Sequence, residues 1–185
     1  EVLHEALAFT NEVLGADKSR IKLRSTKKYE GLDSVDKTSE YQVDFDTQKP
    51  EYYHWTYGIE GVHGEGLTIC LHNSATGKWF DIGNVVRIYD QNQQELGIEF
   101  GYGNEFLLTA LLGVDEALKF SKIYELFPFE LGLQKKYYST IEAVVQMKVA
   151  GAKLTHKHIG HVYKQYLKSI QFVGETLNKD SNAVI

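Results

Sequence analysis

Glu40-Tyr41-Gln42-Val43-Asp44-Phe45-Asp46 alternates strictly, with Tyr41, Val43 and Phe45 on one side and Glu40, Gln42, Asp44 and Asp46 on the other. A period of two is that of a half-buried β-strand. The same odd-numbered phase returns in Tyr53, Trp55, Tyr57 and Ile59, and again in Leu67, Ile69 and Leu71. If these apolar faces share one core, then Asp44, Asp46, His54, Thr56, Cys70 and His72 share the opposite face.

The connections between these runs are short. Thr47-Gln48-Lys49-Pro50 turns the chain after the first run, Gly61-Val62-His63-Gly64-Glu65-Gly66 after the second, and Asn73 to Gly77 after the third. A further extended segment, Lys78 to Asp90, places Phe80, Ile82, Val86 and Ile88 in phase, with a bulge expected at Gly83-Asn84. Gln91 to Gln94 then closes a hairpin onto Glu95–Gly101, where Leu96, Ile98 and Phe100 alternate with Glu95, Gly97 and Glu99. Short connections join antiparallel neighbours, because a parallel pair needs a crossover of about a dozen residues or more.

Upstream, Leu3, Ala6, Leu7, Thr10 and Leu14 recur at helical spacing and predict an amphipathic helix over 1–14 that ends at Gly15. Ile21-Lys22-Leu23-Arg24 reads as a short edge strand, its cations facing outward; residues 29–39 read as a loop. After Gly103 the period changes to that of helices. Asn104 and Asp115 are candidate N-caps, and Pro128 ends that segment. Ser139-Thr140-Ile141-Glu142 has the form of a capping box, and Thr155 opens the most regular helical stripe, from Ile159 to Leu177. Strands first and helices after them predict one α+β domain over 1–185. Its antiparallel, meander-like sheet of five or six strands (about 21–101) is packed on one face by the N-terminal helix and by C-terminal amphipathic helices (about 104–177).

Composition bounds the chemistry. In 185 residues there is one cysteine, Cys70, so neither an internal disulfide nor a cysteine-based zinc site is available. The expectation is a cytoplasmic protein, although removal of a signal peptide would leave the same sequence. No apolar run approaches the ~20 residues of a membrane span. Net charge is −5 and unevenly spread. Lys18, Arg20, Lys22, Arg24, Lys27 and Lys28 form a basic cluster. Nine acids lie between Glu30 and Glu65 against Lys37 and Lys49, and seven lysines lie between Lys135 and Lys168 against Glu142.

Three stretches invite chemistry. If Phe45 lies opposite Tyr53 and Trp55 opposite Leu71, then Asp44, His54 and His72 fall in one row. Such a set could ligate Zn²⁺, Fe²⁺ or Mn²⁺, or act as a general acid and base. Cys70 in the same phase would allow a Cys/His pair. His156, His158 and His161 lack the i, i+4 spacing and the intervening acid of helical metal motifs, and read as a surface turn. Phe100-Gly101-Tyr102-Gly103-Asn104-Glu105-Phe106 runs strand to helix through glycines. It lacks the third glycine of dinucleotide loops, and Glu105 would repel a phosphate.

The leading expectation is a non-catalytic protein-binding module without a cofactor. Its acidic, aromatic stretch Glu40–Glu65 would contact a basic protein partner through Glu40, Asp44, Asp46, Glu51, Tyr52 and His54. An acidic face with Tyr and Trp suits such a partner through electrostatic steering and aromatic anchoring. In composition alone it is similar to small acidic inhibitors of basic toxins or nucleases, bacterial immunity proteins among them. The alternative is a metal-dependent hydrolase built on Asp44, His54 and His72. A second alternative is anion or nucleic-acid binding by the basic C-terminal helices, with Tyr137 and Tyr138 as stacking platforms, against which the acidic middle of the chain argues.

Overall fold

The structure is a computed structural model that describes residues 1–26, 41–46, 49–130 and 132–180. The loop expected at 29–39 and the contact residue Glu40 lie outside those residues. The fold is α+β, with a six-stranded, mostly antiparallel sheet, an N-terminal helix and C-terminal helices.

Helix α1 (Val2–Ala8) continues as a π-helical turn, Phe9–Val13, and ends beyond Leu14, where Gly15 takes a positive φ of 71°. The strands are β1 (Ile21–Ser25), β2 (Gln42–Phe45), β3 (His54–Thr56), β4 (His63–Asn73), β5 (Lys78–Tyr89) and β6 (Glu95–Tyr102). Their order is β2-β1-β4-β5-β6, with β3 also pairing β4. β1 is therefore an interior strand and not the expected edge: β2 flanks it in parallel and β4 in antiparallel.

β4 is the axis of the sheet. Along one side it pairs β3 through Glu65, Gly64 and His63, and then β1 through Leu71, Cys70, Ile69 and Thr68. Along the other side it pairs β5 over its whole length. Ile21, Leu23, Leu67, Ile69, Leu71, Ile82 and Val85 form the core with Ala6, Leu7, Leu107 and Ala110. These last residues come from α1 and from α2 (Asn104–Leu111), which therefore cover one face.

The bulge in β5 falls one residue before the expected site. Ile69 faces Gly83 and Cys70 faces Asp81, so Ile82 is the extra residue. This shift exchanges parity along β5. Phe80 and Ile82 pack with the core, whereas Val86 sits opposite Gly66, on the face of Thr68 and Cys70. Asn73 closes β4: its side chain is buried, donates to the carbonyls of Thr109 and Val114, and accepts from the amides of Ala75 and Thr76.

By contacts the chain divides into two compact units, Glu1–Ala117 and Leu118–Ile185. The second contains α3 (Lys122–Leu126), α4 (Leu133–Val149) and α5 (His158–Thr176). Its own core is formed by Tyr137, Ile141, Val144, Tyr163, Ile170 and Val173. The capping-box residues Ser139 to Glu142 lie inside α4, which starts after Gly132 at a φ of 86°. There the Ser139 and Thr140 hydroxyls donate to the Lys136 carbonyl instead of capping a terminus. α5 begins at His158 and not at Thr155.

A β-carbon at Gly66 would stand 2.1 Å from the Val85 carbonyl oxygen and 2.8 Å from the Val86 Cα. Gly66→Ala should therefore push β4 from β5 and destabilise the protein by about 1–3 kcal/mol, the cost of overpacking. Urea unfolding measures this; an unchanged midpoint would show that the two strands do not approach so closely.

Candidate functional site

Residues that pair across strands point to the same side of a sheet, so the register sorts the polar side chains by face. Lys22, Arg24, Asp44, Thr68, Cys70, His72, Asp81 and Trp79 share the face opposite the core. His54 pairs with Glu65, and Thr56 with His63, so His54 lies on the other face of β4. The expected pairings of Phe45 with Tyr53 and Trp55 with Leu71 do not form. Phe45 lies beside Ser25, and Trp55 beside Gly64.

The physical reason is the segment between β2 and β3. Pro50–Tyr53 forms a 3-10 turn that breaks the alternation and delivers β3 to the far end of β4. Asp44, His54 and His72 are consequently not brought together. His54 and His72 are opposite in facing and seven β4 positions apart, a run of roughly 23 Å at strand rise. Among the described residues no group of three His, Cys, Asp or Glu side chains is placed to hold a metal ion. His54 instead stacks on His63 at 5.4 Å, His63 on Tyr89 at 5.7 Å, and His54 Nδ1 lies 3.7 Å from Glu65. His156, His158 and His161 are all exposed.

What the structure does assemble is a cluster around Arg24. Nε lies 3.5 Å from Asp44, Nη2 3.8 Å from Asp46 and Nη1 3.8 Å from Asp81. Four strands, β1, β2, β4 and β5, and the 3-10 turn meet here. Tyr52 donates to Asp81 Oδ2 at 2.9 Å, the Cys70 thiol to Asp81 Oδ1 at 3.1 Å, and Tyr53 to Asp46 at 3.4 Å. Lys22 reaches Asp44 at 3.6 Å while its ammonium lies 4.4 Å above the Trp79 ring, a cation–π distance. His72 packs on the same ring at 5.1 Å.

Of the expected contact residues, Asp44, Asp46 and Tyr52 thus converge on Arg24 and its partner Asp81, and Glu51 stands exposed beside Tyr52. Arg24 and Asp81 themselves were missed. The outward phase of Arg24 was legible in Ile21–Arg24. Asp81 was likewise outward in the alternation with Phe80 and Ile82, but its pairing with Cys70, which brings it to Arg24, depends on the register between β4 and β5.

Electrostatics follow from this packing. The guanidinium stays charged beyond its ordinary range: burial opposes the charge, and Tyr53, Cys70, Asp81 and Asp44 overcome that opposition. Burial, with the Asp81 carboxylate beside it, pushes the Cys70 thiol far up. A thiol so held is a poor nucleophile, which removes the basis for a Cys/His pair. Burial pushes the Tyr53 phenol up to about 12; Arg24 pulls the other way and Asp46 adds to the rise.

In the second unit, Tyr137 is buried, and Tyr138 stacks on Phe127 at 5.6 Å and Phe129 at 5.4 Å. Those rings pack against their own unit. Among the described residues no helix is long and apolar enough to cross a membrane. The chain matches no protein-family model and no curated protein.

Two outcomes follow from the cluster. Cys70 should resist iodoacetamide in the folded protein and react once the chain is unfolded in denaturant; fast stoichiometric labelling of the native protein would contradict its burial. Tyr53 favours the fold while protonated. Its contribution is fully present below the unfolded value of about 10 and is lost as pH rises from there towards 12. Thermal melts should therefore fall steeply above about pH 10, and Tyr53→Phe should flatten that fall. An identical pH slope in the variant would refute the assignment.

Proposed function

We propose that this chain is a non-catalytic protein-binding module that presents the Arg24-centred cluster to a basic protein partner, as an inhibitor or immunity-type protein would. The observation that supports this reading is the layering of charge. Asp44 and Asp81 stand outermost, with 48% and 38% of their side chains exposed, against 33% of Arg24 and 18% of Lys22, whereas Asp46 at 16% lies as deep as Lys22. An approaching surface meets carboxylates first.

These carboxylates also keep acceptor capacity, since each can take about four hydrogen bonds. Both ion pairs of Asp44 fall on Oδ2, and Glu51 is exposed. Arg24 holds its neighbours at 3.5–3.8 Å without a tight bidentate pair. The acidic set is thereby fixed in place before a partner arrives, which lowers the ordering cost of binding. Tyr52, half exposed and hydrogen-bonded to Asp81, supplies an aromatic anchor of the kind that dominates interface energetics. His54, on the opposite face, has no part in this surface, and Glu40 lies outside the described residues.

The test is affinity capture from the native cell lysate, with bound proteins identified by mass spectrometry. Wild type is compared with an Asp44→Lys/Glu51→Lys variant, chosen because Asp44 is the most exposed carboxylate paired with Arg24, Glu51 is exposed, and their reversal leaves Asp46 and Asp81 intact. The expected result is a basic protein that elutes with rising salt and whose capture falls by about tenfold or more in the variant, the scale of one or two interfacial charge pairs. Equal capture by both, or enrichment of acidic partners, would sink the reading.

A further inference from the structure

We propose that a cleft on the sheet face opposite the core is a binding site for a small organic ammonium ion. The cleft has a volume of about 310 Å³ and is lined by Trp55, Tyr57, Asn84, Val86, Glu99 and Gly101. Its place follows from the register. On this face Trp55 of β3 lies beside Gly64 of β4, and Gly66 beside Val86 of β5. Val86 in turn lies beside Glu99 of β6, and Asn84 beside Gly101. None of the six belongs to the Arg24 cluster, so the two sites can be tested apart.

Glycines make the space. A β-carbon at Gly64 would stand 3.1 Å from Tyr57 Cε2 and 2.5 Å from Val86 Cγ1. The bare backbone there lets the Tyr57 ring lie over β4 against Val86. From that position the Tyr57 hydroxyl donates to Glu99 Oε2 at 2.7 Å. Burial, with the Glu99 carboxylate beside it, pushes the Tyr57 phenol up to about 12, so the hydroxyl remains a donor at neutral pH. Gly101 has no such role inside the chain. A β-carbon there would meet no atom within 4 Å, and its φ is not positive. Glycine weakens a strand interior and marks places where a ligand comes close.

Charge and shape select the ligand. Among the described lining residues Glu99 alone carries charge, so an anion would be repelled. Tyr57 fixes this carboxylate through one of the roughly four hydrogen bonds that such a group can accept. A ligand that covers Glu99 must make up for the water it displaces, and a cation does so with its own charge. Trp55, Tyr57 and Val86 supply apolar wall, and aromatic faces attract ammonium groups through their negative potential. The Asn84 side-chain oxygen accepts from the Thr68 hydroxyl at 2.9 Å, so Asn84 offers the cleft its amide donors. A sugar, with a hydroxyl on nearly every carbon, would leave most of them facing Trp55, Tyr57 and Val86.

The test is an NMR titration of the full chain, read on the side-chain N–H signals of its two tryptophans. Trp55 lines the cleft, whereas Trp79 lies 4.4 Å below the Lys22 ammonium and serves as the internal control. The probes are choline and phenethylammonium, each beside a neutral counterpart: the analogue of choline with carbon in place of nitrogen, and phenethyl alcohol. At least one ammonium should move the Trp55 signal saturably, with a dissociation constant of about 1 mM or below, and leave Trp79 still. Its neutral counterpart should bind about tenfold more weakly or worse, the loss of a cation–π contact and an ion pair. Glu99→Gln keeps an acceptor for Tyr57 while removing the charge, and should erase that preference. Gly101→Val fills the cleft from a strand position that accepts a β-carbon, and should abolish binding without lowering the melting temperature. Four outcomes would each overturn the proposal: no Trp55 response to either ammonium, equal affinity for the neutral counterparts, a preference that persists in Glu99→Gln, or binding that survives Gly101→Val.

Discussion

The structure of the first unit depends on β4 and on how its two sides are shared. One side belongs to β5 from end to end, while the other is divided between β3 at His63–Glu65 and β1 at Thr68–Leu71. Where β1 stops, the Ser25 hydroxyl donates to the Gly66 carbonyl at 2.7 Å, so a backbone group in the gap remains hydrogen-bonded though buried. The division decides which polar residues can meet. Groups near β1 gather in one place, and groups carried by β3 are delivered to the opposite end and the opposite face.

The Arg24 cluster follows from that division. β1, held between β2 and β4, aims Arg24 across the polar face, and carboxylates arrive from β2, from the residue after it, and from β5. Ion pairs at this degree of exposure contribute little net stability, because Coulomb attraction is screened and side-chain entropy opposes it. What they supply is orientation: the 3-10 turn is tied down by Tyr52 on Asp81 and by Tyr53 on Asp46. Cys70 adds one more donor beneath the same carboxylate.

The two outer strands of the sheet are unlike. β2 is four residues long and bears Asp44, whereas β6 is twice that length, with its apolar residues exposed along one side. A short, charged strand is a poor template for further pairing and a long apolar one is a good template. The second unit has a core of its own, closed by helix–helix packing of α4 and α5.

By itself the sequence determined the class of fold, most of the elements and the acidic character of the middle of the chain. Each of these is a local property: alternation marks a strand, three- and four-residue spacing marks a helix, and charge is read residue by residue. Even the outward phase of Lys22 and Arg24 was legible in this way. Three things were decided only by tertiary structure. β1 was placed inside the sheet, beside a strand parallel to it, because strand order is a matter of long-range packing. The 3-10 turn at Pro50–Tyr53 broke the phase that would have joined His54 to His72. The extra residue at Ile82 turned Val85 into the core and Val86 to the opposite face. A single inserted residue inverts every facing beyond it, because the strand period is two, so local alternation cannot be carried across a turn or a bulge.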